Sequence, residues 1–408
     1  MIWSNRLLGL GFLMMVLNGC NHPGKTAIET DLLDVPFETI STRAQNTTVH
    51  MMMWQGDPLI NQYMSGWVVP ELKSRFNIDL QIAPGQGTEI VKVLLAEKEA
   101  GKKNSNLDLC WINGETFFQL RQIQALFGPF TSRLPNAQYI DFQNPFIGID
   151  FQQPVDGYEC PWGNVQLALI CDSLRTPNPP LTMDELEKWW HKNPGKFTIP
   201  YEFTGMTLLK SWMIAFAGGG NALDGPFDPQ KYAVLSAKLW DFINRNKRYF
   251  WRSGETFPES VAAMHTMFVN QELDITMSNN DNEVDNKIQQ NIFPTTAKSF
   301  VLKSGTIQNS HFLGIPAQAV NKAGAMTVIN FLISPEAQLR KLNPKVWGDG
   351  SVLALDKLPS EFQARFLAVS KRKNSTIRAT IQPYALKEPA PEYMVRLYED
   401  FRKKVIEQ

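Results

Sequence analysis

The chain has 408 residues, of which 43% are hydrophobic and 20% charged, the proportions of an ordinary globular protein. Lysine plus arginine equals aspartate plus glutamate at 40 each, which excludes the basic footprint of a nucleic-acid binder. Its length exceeds what one hydrophobic core supports and predicts two domains, and eleven tryptophans are the one compositional excess.

Arg6 is the only charged side chain before Cys20, and Leu7 to Leu17 is apolar apart from its glycines. Eleven helical residues rise about 16 Å, roughly half a bilayer core, so this run is no membrane span. A positive start, a short apolar stretch and small residues before a cut site describe a secretory signal peptide over residues 1–19. Leu17-Asn18-Gly19-Cys20 resembles the lipobox of bacterial lipoproteins, in which the cysteine sulfur is acylated and that cysteine becomes the new N-terminus. Cys20 is thus the expected lipid-attachment site. It implies an exported protein anchored by acyl chains to the periplasmic or cell-surface face of a bacterial membrane. After residue 20 no apolar run approaches membrane length.

Residues 20–46 are polar and aperiodic and read as a tether, although "LLDVPFETI" at 32–40 is apolar enough to dock. Order begins with the β-like run "TTVHMMMW" (47–54), then apolar residues at helical spacing over 60–76. A strand at 78–84, a helix after the Gly85-Gln86-Gly87 turn, a strand at 106–112 and a helix from Gly114 follow. This alternation predicts a parallel sheet with helices on its faces. Cys110, Cys160 and Cys171 read as small buried apolar residues. An extended segment from 160 to 171 would hold its ends about 30 Å apart, beyond disulfide reach.

Val165 to Cys171 is a continuous apolar strand, as expected where both faces are covered. "NPP" then turns the chain, and Thr182 with Glu185 makes a capping box. Further on come "FVNQELDITMSNN" (268–280) and "LGIPAQAVNKAGAMTVINFLISPEAQ" (313–338), where Ser334-Pro335 stops one helix and caps the next. Taken in order, these segments resemble bacterial extracellular solute-binding proteins, the family of maltose-, spermidine- and thiamine-binding proteins. The resemblance implies an α/β, two-lobe periplasmic-binding-protein fold of type II, with one ligand in a cleft between lobes joined by crossing strands. Lobe 1 is expected from 47–162 and 305–345, and lobe 2 from 163–304 and 346–408. The implied partners are a small-molecule ligand and an ABC-type permease with its ATPase subunit, the protein itself being a monomer. A terminal helix near 391–406, with Met394, Leu397, Tyr398, Phe401 and Val405 on one face, would brace one lobe from outside.

An enzyme is the rival class. The chain lacks G-x-S-x-G, H-E-x-x-H, the P-loop and C-x-x-C, and "GQGTEI" fails the dinucleotide fingerprint at Ile90. His22, His50, His191, His265 and His311 have no metal-ligand spacing, and Glu202, Asp281 and Glu283 read as solvated carboxylates. The expectation is therefore no catalytic residue, no cofactor and no metal.

In open α/β sheets ligands bind beyond the carboxyl ends of strands. The expected binding residues are accordingly Trp54, Gln55 and Asp57 after the first strand, and Gly87 and Thr88 after the second. Asn113 and Gly114, followed by Glu115, end the third, and Trp162 and Gly163 lie at the hinge. Thr204 and Gly205 open a helix of lobe 2, and Ser278, Asn279 and Asn280 end a strand there. Each has a plainer reading: the tryptophans as core, the asparagines as turn formers, Asp57 as a helix cap. No arginine lies in these segments and Tyr139 and Tyr158 stand alone, so a flat or cationic organic ligand, thiamine-like or an amine, fits best. Ferric ion, oxyanions and sugars are the same-fold alternatives.

Overall fold

The computed structural model describes residues 32–407, so the expected signal sequence and Cys20 lie outside it. The described chain opens with α1 (Phe37–Ala44), whose Ile40 and Ala44 are fully buried in the first core together with Leu32. The tether expected to run to residue 46 is therefore shorter. Burying one Leu or Ile side chain is worth about 1.5–3 kcal/mol, which outweighs leaving this stripe in water.

The first lobe follows the expected alternation. It runs through β1 (Thr48–Met53), α2 (Pro58–Tyr63), a π-helical turn at Met64–Val68, α3 (Val69–Phe76), β2 (Asp79–Pro84), α4 (Gly87–Glu99), β3 (Leu109–Ile112) and α5 (Gly114–Gln122). β1 is the middle strand and pairs in parallel with both β2 and β3. A small hairpin, β4 (Ile149–Asp150) with β5 (Gln153–Pro154), leads to β6 (Glu159–Gln166) and β7 (Ala168–Asp172). Every residue of β6 and β7 is buried, the apolar run 167–171 together with the polar Glu159, Asn164 and Gln166 of β6.

The second lobe contains α6 (Met183–Lys192), α7 (Phe203–Phe216), α8 (Pro229–Asn246), α9 (Val261–Val269), β8 (Ile275–Ser278), α10 (Glu283–Gln289) and β9 (Ala297–Phe300). Here the parallel expectation fails: β7 enters from the hinge and both β8 and β9 run against it. β10 (Thr306–Gly314) then returns to lobe 1, pairing along β6 and ending against β3, while its first residues pair with β11 (Ala385–Leu386). α11 (Lys322–Leu332) covers α1, and α12 (Pro335–Leu342) follows it. The predicted caps form: Glu185 N–H donates to Thr182 Oγ1 and Ala337 N–H to Ser334 Oγ, each at 3.2 Å.

The last segment divides differently from the expected boundary at 346. Trp347 and Val352 are buried in the first lobe's core, and α13 (Ser360–Val369) packs Phe366 near Leu339 and Leu342. The chain then crosses a third time. Asp285 of α10 fastens that crossing by accepting from the backbone N–H groups of Lys373, Asn374 and Ser375 at 3.0–3.4 Å. α14 (Arg378–Ile381) and α15 (Pro391–Phe401) belong to the second lobe's core. Cys110, Cys160 and Cys171 are buried free thiols, as expected.

The pair β6–β10 contains a bulge. His311 pairs with Gly163 and Phe312 with Pro161, leaving Trp162 as the extra residue. Its indole is fully buried, with ring centroids 5.1 Å from Trp111, 5.2 Å from Trp347 and 5.7 Å from His311. Trp162 does not line a cleft; it is the core of the hinge. Gly163 is equally structural, because a Cβ there would lie 2.1 Å from both Asp349 Oδ2 and His311 Nε2. Those two atoms are 3.1 Å apart, and the fully buried Lys341 pairs with the same carboxylate. Burial would raise the Asp349 carboxyl, but His311 and Lys341 outweigh it and hold it below the usual range. At the start of β6, Glu159 is fully buried, and neither of its carboxylate oxygens has a hydrogen-bond partner among the described residues. Burial first, then the neighbouring Asp150, push this carboxyl well above its ordinary value against the opposing pull of Arg121.

Trp162→Ala should lower stability by about 3–5 kcal/mol, the cost of an aromatic-sized core cavity, read from urea denaturation. A loss below about 1 kcal/mol would show that the hinge core is loosely packed. The Glu159 shift makes a pH prediction. Below about pH 4.3, the unfolded value, both states hold the proton. Above it the unfolded chain ionises while the folded one does not, so stability falls as pH rises towards the raised folded value. Glu159→Gln should therefore raise the melting temperature at pH 8 and change it little at pH 4. An equal change at both would show that Glu159 is ionised in the fold.

Candidate functional site

Trp54 projects from the end of β1 and is 37% exposed. It folds back over its own turn, since a Cβ on Gly56 would lie 2.4 Å from the indole, and it sits edge-on to Trp111 at 6.5 Å. The opposite outcomes for Trp54 and Trp162 follow from position: one ends a strand, the other bulges inside a doubly covered pair. Gln55 is half-buried, its carbonyl accepting from Asn61 Nδ2 at 3.0 Å.

Asp57 has the expected capping role and an unexpected ion pair. Its Oδ1 caps α2 by accepting from Leu59 and Ile60 N–H at 2.8 and 3.4 Å. Oδ2 accepts from Lys287 Nζ of α10, across the lobes, at 3.0 Å. Lys287 also pairs with Glu283 at 3.3 Å. Burial lowers the Lys287 ammonium, but Glu283 and Asp57 outweigh it and raise its pKa.

Gly87 opens α4 against α5, since a Cβ there would meet Thr116 Oγ1 at 2.0 Å, while Thr88 is exposed. Asn113 is half-buried. Gly114 is closed off rather than open to a ligand, because the Phe151 ring occupies the space a Cβ would need, 1.8 Å from Cδ2. Gly205 is likewise structural, lying against the Pro200 carbonyl at 1.8 Å from a built Cβ. Thr204 is buried and accepts from Asn279 Nδ2 at 3.2 Å. Ser278 Oγ accepts from Asn280 N–H at 3.0 Å, making the turn that ends β8. Asn280 and Asn282 then donate to Gly348 O at 3.4 and 3.3 Å, and Asn286 to Trp347 O at 2.7 Å, so three amides beside α10 hold the first lobe.

Several residues of the site lay outside the expected set. Glu202, Asp281 and Glu283, read above as solvated, are not: Asp281 is buried and the other two are half-buried. Asp281 pairs with Arg372 at 2.5 Å and Arg378 at 3.0 Å, so two arginines reach this strand end from the third crossing and are spent there. Glu202 is the N-cap residue of α7 and Glu115 lies in the first turn of α5. Burial pushes both carboxyls up; backbone N–H groups oppose this at each, with Lys210 adding to the opposition at Glu115. Glu115 Oε2, Glu202 Oε1 and Asn279 Oδ1 are buried with no hydrogen-bond partner among the described residues. These are helix-start and strand-end atoms from both lobes, and all three are acceptors. Acids at helix starts are a legible signal; that they stay unmatched is not.

The larger cavity, about 530 Å³, is lined by Arg121, Phe127 and Tyr158, and none of the expected site residues lines it. Among the described residues no group of three or more His, Cys, Asp or Glu could hold a metal ion, and no helix is long and apolar enough to cross a membrane.

Comparison with known proteins fits this geometry. Residues 67–354 match the model of the bacterial extracellular solute-binding protein family. Protein YnjB of Escherichia coli (strain K12) is 37% identical over 327 residues, 79% of this chain and 84% of YnjB. Among solved structures, the TpPotD lipoprotein of Treponema pallidum covers 88% of this chain and 100% of its own at TM-score 0.64 and 12% identity. A putative spermidine/putrescine ABC transporter protein of Listeria monocytogenes covers 88% and 99% at TM-score 0.62 and 14% identity. The fructose-6-phosphate-bound AfuA of Actinobacillus pleuropneumoniae covers 88% and 98% at 0.57 and 12%. At these identities the structures share the fold, while their names span different ligands. With its family match over most of its length and a relative this close, the chain belongs to the bacterial extracellular solute-binding proteins, a family of binding proteins rather than enzymes.

Proposed function

We propose that the protein is the capture component of an ABC-type importer: a monomer that holds a small organic cation between its lobes and delivers it to a permease driven by an ATPase subunit. The observation that carries the ligand class is the set of unmatched buried acceptors, Glu115 Oε2, Glu202 Oε1 and Asn279 Oδ1, at helix starts and a strand end of the two lobes, with Trp54 partly exposed at the end of β1. A buried acceptor without a donor costs about 1–3 kcal/mol, a cost a cationic donor would relieve. A tryptophan face adds about 0.5–2 kcal/mol for a cation. An oxyanion or sugar phosphate would need free positive charge, yet Arg372 and Arg378 are held by Asp281 and Lys287 lies between two carboxylates. The spermidine/putrescine name of the Listeria structure points the same way. The lipoprotein name of the Treponema structure supports a Cys20 anchor on the exported face of a bacterial membrane.

Calorimetry with putrescine, thiamine, maltose and sulfate tests the ligand class. At least one of the two cations should bind, and Trp54→Ala should weaken it more than tenfold, about 1.4 kcal/mol. Tight binding of sulfate or maltose with neither cation bound would refute the class. For the anchor, Cys20→Ser should abolish fatty-acid labelling of the expressed protein. Equal labelling of variant and wild type would rule out acylation at that sulfur.

A further inference from the structure

The C-terminal helix has a second face. Met394, Leu397 and Phe401 of α15, and Val405 beyond its end, pack into the second lobe's core as expected, yet α15 also lies against α5 of the first lobe as well as α7 of the second. These are the two helices that start at Glu115, in the first turn of α5, and at Glu202, the N-cap of α7. Tyr398 of α15 is half-buried and edge-on to Tyr201 at 6.3 Å, and Tyr201 stacks on Phe401 at 6.0 Å. Burial first, then the charges of Glu115 and Glu202, push the Tyr398 hydroxyl up, so both carboxylates lie within electrostatic reach of it. The cation that acts on Glu115, Lys210, is fully buried and bound to Glu388 at 2.5 Å. Tyr201, next to Glu202 in the chain, thus touches Tyr398, and α15 packs on both helices that begin with these carboxylates, each of which has a buried unmatched oxygen.

We propose that Tyr201, Tyr398, Glu115 and Glu202 form one subsite that receives an ammonium or comparable organic-cation group of the ligand, with the C-terminal helix as the third wall of the cleft. Aromatic faces and carboxylates attract the same charge, and a cation here would pair oxygens that the protein leaves unmatched. The proposal rests on the cationic reading of the ligand. The plainer account is that both acids only complement the dipoles of α5 and α7, in which case removing their charge would touch stability and not binding.

The test is calorimetric titration of the full chain with putrescine and with thiamine, comparing wild type with Glu115→Gln, Glu202→Gln, Tyr398→Phe and Tyr398→Ala, with a thermal melt of each. The glutamine variants keep shape and remove charge. Each should weaken whichever cation the wild type binds by about tenfold or more while still melting cooperatively. Tyr398→Phe keeps the ring and should retain affinity, and Tyr398→Ala should lose it. If Tyr398→Ala does not fold, the two glutamine variants decide. Wild-type affinity in both, with Trp54→Ala still weakened, would overturn the subsite and leave the cationic reading standing. Binding of maltose or sulfate with neither cation bound would overturn both.

Discussion

The antiparallel pair β6–β10 is buried on both faces, and it links the lobes while sealing the cores on either side. A doubly covered strand pair leaves no water to satisfy stray polar atoms, so its polar side chains need protein partners at about 1–3 kcal/mol each. Asn164 donates to Phe146 O and Ser310 Oγ, and accepts from Gln308 Nε2 at 2.7 Å. Arg378 donates to Asn164 O at 2.8 Å and also pairs with Asp281, whose other contacts are Arg372 and the Gln166 N–H. The third crossing is therefore bound to the first two through charge. That explains why a carboxylate as buried as Asp281 stays below its ordinary range: burial raises it, and the two arginines outweigh burial.

Three acceptors at helix starts and a strand end, on Glu115, Glu202 and Asn279, have no partner among the described residues. Proteins rarely bury polar atoms without partners, and where they do the deficit calls for an explanation such as a bound ligand. The placement of Glu115 in the first turn of α5 and of Glu202 at the N-cap of α7 lowers the cost of keeping them, since a helix start favours negative charge. Unmatched atoms occur on the crossing strands as well, at Glu159, Trp162 and Gln166, so it is the position at helix starts packed against α15, rather than the deficit alone, that sets Glu115 and Glu202 apart.

Much of this was legible in the sequence. The βα alternation over 47–127, the buried extended run at 165–171 (split at Leu167 between β6 and β7) and the caps at Thr182 and Ser334 are local patterns, and local patterns survive folding. What escaped depends on partners far along the chain. Trp162 is in the core because a one-residue bulge opposite His311, about 150 positions away, turns it there, and register of that kind is not written in either strand alone. Lys287 was invisible as a partner of Asp57 because 230 residues separate them. The second face of α15 was missed because its apolar stripe accounts for the whole helical pattern, and half-buried Tyr398 looks like part of it.

The Asp57–Lys287 pair shows how a closed cleft can remain reversible. In the importer reading the lobes must part, and parting would separate these two charges. Neither would be stranded. Asp57 would keep the α2 N–H groups it caps, and Lys287 would keep Glu283 one helical turn away. A contact whose partners keep other partners on both sides of the motion strands no charge when it parts. Lys341 and Asp349 behave differently, since both are almost wholly buried and losing either would leave an uncompensated charge at a cost of about 3–5 kcal/mol. Contacts that can part without stranding a charge therefore lie where the lobes meet, and those that cannot lie where they are joined. In the importer reading such a division leaves the choice between open and closed to the ligand, because only its differential affinity for the two states can shift them.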